Sequence, residues 1–229
     1  MIKLENLHKN FGRTKAVDGV TLDIAKGNIV GLLGENGSGK STLLKLMAGL
    51  QFPTRGHASI AGTPVGRQTK AWTSYAPESN AFYKWMSVRD ILQYQRLFFA
   101  DFAQDRCDEL VSFMQLPMEA RVGTLSKGMQ ARLRLTAALS REAKVQLLDE
   151  PFSGIDPLSR KKILDALIDQ FRFQEQTMII STHEVAAAER LFDEILFMAG
   201  GRVLLQGSAD QLRAEHNCSI EDLFGKVGY

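Results

Sequence analysis

The chain has 229 residues, 45% of them apolar, and a formal net charge of +2. That length suits one large domain, or one domain with a lobe inserted in it. The near balance of charge, with Lys and Arg spread along the chain, speaks against general electrostatic binding to nucleic acid. Cys107 and Cys218 match no metal or redox spacing and are expected as free thiols. The opening Met1-Ile2-Lys3-Leu4-Glu5 has no signal-peptide pattern, and no apolar run approaches the roughly 20 residues that span a bilayer. Any link to a membrane is therefore expected to go through a partner.

In chain order, the first thirty residues suggest sheet, with Val20, Leu22 and Ile24 alternating with polar residues. Ala25-Lys26-Gly27 is a turn, and "NIVGLLG" (28–34) is short, apolar and bounded by glycine, which predicts a fully buried strand. "KSTLLKLMAGL" (40–50) has helical spacing with Leu43, Leu46, Met47 and Leu50 on one face, and "HASIAGTPV" (57–65) suggests another strand. From about Trp85 to Arg141 the pattern is helical, with helices expected at 87–100 (Ser87 as N-cap), 105–116 and 128–141. "VQLLD" (145–149) and "TMIIST" (177–182) are strands separated by a helix at 159–173. "EILFMAGGRVLLQG" (194–207) is a hairpin turning at Gly200-Gly201, and a short helical tail follows. Strands on both sides of a helical block predict an α/β core interrupted by a helical lobe.

Gly34-Glu35-Asn36-Gly37-Ser38-Gly39-Lys40-Ser41 fits G-x-x-x-x-G-K-[ST], and Thr42 follows. The expected setting, a buried strand before it and an apolar-striped helix after it, is what a phosphate-binding loop needs. Glycines let backbone close on a phosphate without a Cβ clash, and successive N–H groups at the helix start point at the anion. Lys40 would reach the β- and γ-phosphates as a point charge, and Ser41 would give a hydroxyl to Mg²⁺.

"LLDEP" (147–151) ends an apolar run in two adjacent acids, an uncomfortable place for two carboxylates unless a cation or a reaction uses them. Open α/β sheets bind ligands at the carboxyl ends of their strands. Asp149, on a strand expected to lie beside that of the phosphate loop, is assigned to Mg²⁺, through water. Glu150 is assigned to the attacking water; alternation along the strand lets the two acids diverge. Gln146 puts an amide inside the otherwise apolar strand.

With these elements placed, the chain resembles the nucleotide-binding subunit of an ATP-binding cassette (ABC) transporter over nearly its whole length. "LSKGM" (125–129) resembles the family signature, usually LSGGQ; "FSGID" (152–156) resembles the loop after the acidic pair. "STHE" (181–184) puts His183 at the family's switch histidine, and Phe11 stands where an aromatic, usually tyrosine, stacks on adenine. "SYAPESN" (74–80) puts Glu78 where the family commonly has a metal-sensing glutamine, as in many bacterial export-type cassettes. A carboxylate there would either bind metal more firmly or repel the nucleotide. Lys127 and Met129 replace a glycine and the glutamine of the signature, while Ser126 and Gly128, the members expected to face phosphate, remain.

The resemblance implies a P-loop NTPase core of mixed sheet and flanking helices, an N-terminal antiparallel β region and an inserted helical signature subdomain. Its boundaries would be 1–84 and 142–207 for the core, 85–141 for the insert and 208–229 for the tail. It implies ATP and Mg²⁺ as cofactors, with Phe11, Gly34, Asn36, Gly37, Ser38, Gly39, Lys40, Ser41 and Thr42 on the nucleotide and Ser41, Asp149 and Glu78 on the metal. Glu150 would act as general base or water-orienting group and His183 would position the water and γ-phosphate, while Ser126 and Gly128 would contact ATP bound to a second subunit. A head-to-tail pair of cassettes, identical or not, would then power export by a separate integral membrane permease from the cytoplasmic face of the membrane. Phe82, Tyr83 and Trp85 are expected to help form the groove that takes the permease. The alternative is a soluble ABC-type ATPase outside transport, though the chain has neither the tandem cassette nor the coiled-coil insertion such proteins tend to carry. Sugar-importer cassettes often append a regulatory domain for which this tail is too short, and no N-K-x-D guanine motif is present.

Overall fold

The computed structural model describes residues 1–79, 81–171 and 176–227. It opens with two antiparallel strands, β1 (Ile2–Phe11) and β2 (Thr14–Ile24). Ile2, Leu4 and Leu7 of β1 and Val20, Leu22 and Ile24 of β2 are buried between more exposed residues, the pattern of strands with one wet face. β3 (Ile29–Leu33) is buried at every position and leads through residues 34–39 into α1 (Lys40–Met47). β4 (Arg55–Ile60) and β5 (Thr63–Pro64) replace the single strand expected over 57–65. Ala61 and Gly62 take left-handed backbone (φ 49° and 77°), which folds the segment into a hairpin.

A one-turn helix, α2 (Arg67–Lys70), precedes β6 (Thr73–Ala76), and three helices follow: α3 (Val88–Phe98), α4 (Gln104–Met114) and α5 (Lys127–Leu139). Ser87 caps α3 by accepting from the Asp90 N–H at 3.1 Å, while the Asp90 carboxylate accepts from the Ser87 N–H at 2.8 Å. Ser126 caps α5, accepting from the Met129 N–H. The chain then forms β7 (Val145–Asp149), α6 (Pro157–Phe171), β8 (Thr177–Thr182), α7 (Val185–Ala188), β9 (Glu194–Ala199), β10 (Arg202–Ser208), α8 (Ala209–His216) and α9 (Ile220–Val227). The last two positions of the helix expected over 159–173 lie outside the described residues. β9 and β10 form the expected hairpin at Gly200-Gly201.

β1, β2, β4 and β5 make a four-stranded antiparallel sheet in the order β2-β1-β4-β5. The central sheet runs β10-β9-β3-β8-β7-β6, parallel except for the β10 edge. The acidic strand β7 is therefore not next to β3, as expected from sequence; β8 lies between them. Alternate residues feed two cores. Val30, Leu32, Leu147, Ile179 and Leu196 pack with α1 and the antiparallel sheet. Leu33, Leu148, Ile180, Ile195 and Phe197 pack with the helical block, through Val88, Ile91 and Leu110, and with Leu212, Ile220 and Leu223 of the tail.

Arg141, just past α5, ties the helical block to the central sheet. Its buried guanidinium forks onto Asp101 at 2.9 and 3.0 Å, donates to the Thr73 and Ala71 carbonyls and lies 3.9 Å from the centre of the Phe99 ring. Arg141→Ala strands a carboxylate and two carbonyls, and is expected to lower stability by about 3 kcal/mol in urea unfolding. A loss under about 1 kcal/mol would show that Arg141 does not fasten the block.

Candidate functional site

The phosphate-loop sequence is placed as its spacing requires, between a buried strand and a helix. Gly39, the residue before α1, has φ 107°, and a Cβ there would fall 2.2 Å from the Ala16 carbonyl oxygen. A Cβ on Gly34 would meet the Met198 carbonyl oxygen at 2.3 Å. Both positions thus admit only glycine. α1 has no side-chain cap and no acid in its first turn, so its leading N–H groups face the loop without a competing carboxylate. Ser38 is buried and its hydroxyl has no partner among the described residues, which suits an anion-binding pocket. Asn36 and Gly37 are exposed at the loop's tip; Ser41 and Thr42 are half-buried in the first turn.

The buried Lys40 ammonium donates to the Gly34 carbonyl at 2.6 Å and the Glu35 carbonyl at 3.0 Å. It also lies 3.1 Å from Glu150 Oε1, an ion pair in which Oε1 lacks hydrogen-bond geometry. Glu150 Oε2 is 2.9 Å from His183 Nδ1 and 3.4 Å from the His183 N–H. The lysine of the loop, the second acid and the histidine after β8 thus converge at the carboxyl ends of three strands.

The two acids diverge as expected, and a kink adds to the effect of alternation: Glu150 has left-handed backbone, φ 46°, held by its N–H donating to the Ser181 carbonyl and hydroxyl. Asp149 turns the other way. Its Oδ1 accepts from Ser41 at 2.9 Å and from Ser181 at 2.8 Å; its Oδ2 accepts from the Tyr75 hydroxyl at 3.0 Å. Burial and then the Asp149 charge push the Tyr75 phenol far above its ordinary value, so it stays a donor. Gln146 donates to the Arg141 carbonyl, which gives the amide within β7 a structural use. Ser181 and Tyr75 are site residues that sequence reasoning missed. Ser181 opens the quoted "STHE", but its place opposite Asp149 depends on the β7–β8 register.

Ser41 and Asp149 present adjacent hard oxygen ligands, which fits a magnesium ion completed by phosphate and water. Among the described residues no cluster of three or more His, Cys, Asp or Glu could hold a metal by itself, and Mg²⁺ of this kind needs none.

Other expected residues lie apart from this cluster. Phe11 is 49% exposed at the tip of the β1–β2 hairpin, whose Ala16 touches the phosphate loop, and Lys9 sits over its ring. Glu78 is exposed just past β6, and its charge acts on Tyr75 and on the half-buried Arg134. Burial pulls the Arg134 guanidinium down, and Glu78 partly offsets that. Ser126 is exposed, whereas Gly128 is buried, with Asp156 and Ser159 2.5 Å from where its Cβ would stand. Among the described residues, neither Ser126 nor Gly128 bonds the phosphate loop of its own chain.

A groove of about 590 Å³ runs between the central sheet and the helical block, lined by Leu50, Tyr75, Phe82, Phe98, Phe99 and Arg134 among others. Phe82 lines it. Tyr83 and Trp85 do not; they stack on each other at 5.8 Å, exposed nearby.

A glycine loop leading into a helix, with a lysine and two strand-end acids at its mouth, marks a phosphate-loop nucleotide-binding protein. The family model described as "ABC transporter" matches residues 17–153. The "Nod factor export ATP-binding protein I" of Rhizobium sp. (strain N33) is 34% identical over 236 residues, covering 98% of this chain and 76% of that one. The "Phosphonates import ATP-binding protein PhnC" of Rhizobium johnstonii is 32% identical over 247 residues, covering 98% and 86%. A solved ATP-binding subunit of an ABC transporter superposes with a TM-score of 0.88 at 27% identity, covering 100% of both chains. The chain belongs to the ABC transporter family, as an ATP-binding subunit carrying the ABC ATPase domain. Among the described residues, no helix is long and apolar enough to cross a membrane.

Proposed function

We propose that the chain hydrolyses ATP as one half of a head-to-tail cassette pair and powers export through a separate integral membrane permease, on the cytoplasmic face of the membrane. The observation that carries the catalytic part is the convergence of Lys40, Glu150 and His183 at the strand ends, with Ser41 and Asp149 beside them. Phosphoryl transfer asks mainly for positioning and charge. The phosphates of ATP compete with Glu150 and two loop carbonyls for the Lys40 ammonium. Once Lys40 turns to phosphate, the Glu150 carboxylate is free to orient or deprotonate the attacking water, and His183 steadies that water and the γ-phosphate. Mg²⁺ held by Ser41 and Asp149 would neutralise phosphate charge, and Glu78, exposed just past β6, would have to turn toward that site to join them. Phe11 offers its exposed ring face to adenine.

Ser126 and Gly128, in the inserted subdomain at 85–141, would meet ATP on the partner cassette. Their separation from their own phosphate loop supports that reading. Export is supported by Glu78, which resembles the residue of export-type cassettes; the two relatives named above divide between export and import. Mg²⁺-dependent ATP hydrolysis by the purified chain, and its co-purification with a multi-span membrane protein, test the assignment; hydrolysis with no membrane partner would favour a soluble ATPase. The groove is the surface that best suits a permease segment, being apolar and edged by exposed Phe98, whose ring stacks on exposed Tyr94. Phe82→Ala or Phe98→Ala is expected to cost about 2 kcal/mol of partner binding. Co-purification undiminished in both variants would remove the groove from that role.

A further inference from the structure

Tyr75 stands in the "SYAPESN" stretch, three residues before Glu78, with no role read from it, yet its hydroxyl ends on the carboxylate assigned to the cation. β7 sits between β8 and β6 and ends at Asp149. On the β8 side, Ser181 stands directly opposite Asp149 in register, so a short hydroxyl reaches Oδ1. On the β6 side, Tyr75 stands opposite Leu147, two residues earlier on the same face. Only a long side chain can span that offset, and the phenol does so, meeting Oδ2 at 3.0 Å. Oδ1 has two donors; among the described residues, Oδ2 has Tyr75 alone.

We propose that Tyr75 is a positioning residue which, together with Ser181, fixes the plane of the Asp149 carboxylate so that Oδ1 faces Ser41 and a divalent cation. A carboxylate turning about its terminal bond would present the cation with a variable pair of oxygens. Donors on separate oxygens, coming from opposite neighbouring strands, stop that rotation. Groups that orient a metal ligand without touching the metal commonly matter ten- to a hundredfold for affinity. The inference rests on the reading of Ser41 and Asp149 as the cation site.

The test is nucleotide binding without turnover. The full chain is titrated with the non-hydrolysable analogue AMPPNP by calorimetry, once with excess Mg²⁺ and once in EDTA. The ratio of the two affinities is the gain due to metal. Tyr75→Phe keeps the ring and removes the hydroxyl; it is expected to cut that gain about tenfold and leave the EDTA affinity within about twofold of wild type. Asp149→Asn is the control and is expected to lose the gain as well. If Asp149→Asn loses the gain and Tyr75→Phe keeps it, the role of Tyr75 is overturned and the cation site stands. An equal drop with and without Mg²⁺ in Tyr75→Phe makes the residue merely structural and also overturns it. An Asp149→Asn protein with an undiminished gain sinks the cation-site reading, and the proposal with it.

Discussion

Glu150→Gln is expected to bind ATP as well as wild type, or better, and to turn over about 10²–10⁴ times more slowly. The reason lies in what Glu150 touches. One oxygen faces Lys40 and the other faces His183, with the side chain 4% exposed. An amide keeps the shape but can neither accept the water's proton nor hold Lys40 by charge. Lys40 therefore goes to phosphate with less competition, which preserves affinity, while the step that needs a carboxylate fails. If a second copy closes over the bound ATP, the variant should elute as a dimer when ATP and Mg²⁺ are present, whereas wild type returns to monomer as the γ-phosphate is cleaved. Wild-type hydrolysis rates in this variant would remove Glu150 from the catalytic role.

Lys40→Ala is expected to weaken ATP at least tenfold. Each charge-assisted contact with phosphate is worth about 1.5–3 kcal/mol, and about 1.4 kcal/mol is a factor of ten. The same change leaves Glu150, 3% exposed, without its cation, so the melting temperature should fall too. The two effects are separable. Adding Glu150→Gln to Lys40→Ala removes the stranded charge and should restore much of the stability, but none of the ATP affinity. Calorimetry and thermal melting on the three proteins read both quantities. Unchanged affinity in Lys40→Ala would count against the phosphate-loop assignment.

What sequence made legible was local. The spacing from Gly34 to Ser41 is a property of eight consecutive residues, and it lies where a buried strand meets a helix. Ser87 was identifiable as a cap because a cap acts over three residues, and Gly200-Gly201 because a hairpin turn is self-contained. What stayed hidden depended on strand pairing. β8 separates β3 from β7, and that arrangement makes Ser181 a partner of both acids. Tyr75 was merely part of the stretch leading to Glu78 until its register with Leu147 aimed it at Asp149. The break at Ala61 was missed because a non-glycine residue rarely adopts left-handed backbone. The mutual stacking of Tyr83 and Trp85 is a tertiary outcome that the composition of the segment does not encode.

The helical block shares one continuous apolar interior with a face of the central sheet and with the tail, through Val88, Ile91, Leu110, Leu148, Ile180 and Ile220. A recombinant fragment holding only those three helices would present its greasy underside to water, and the remainder would gape where it had been. Melting of the whole chain should therefore be a single cooperative event, and amides of α4 and β7 should exchange with solvent through a common opening. Removing the last two helices to shorten the chain would unroof the same interior from its opposite end.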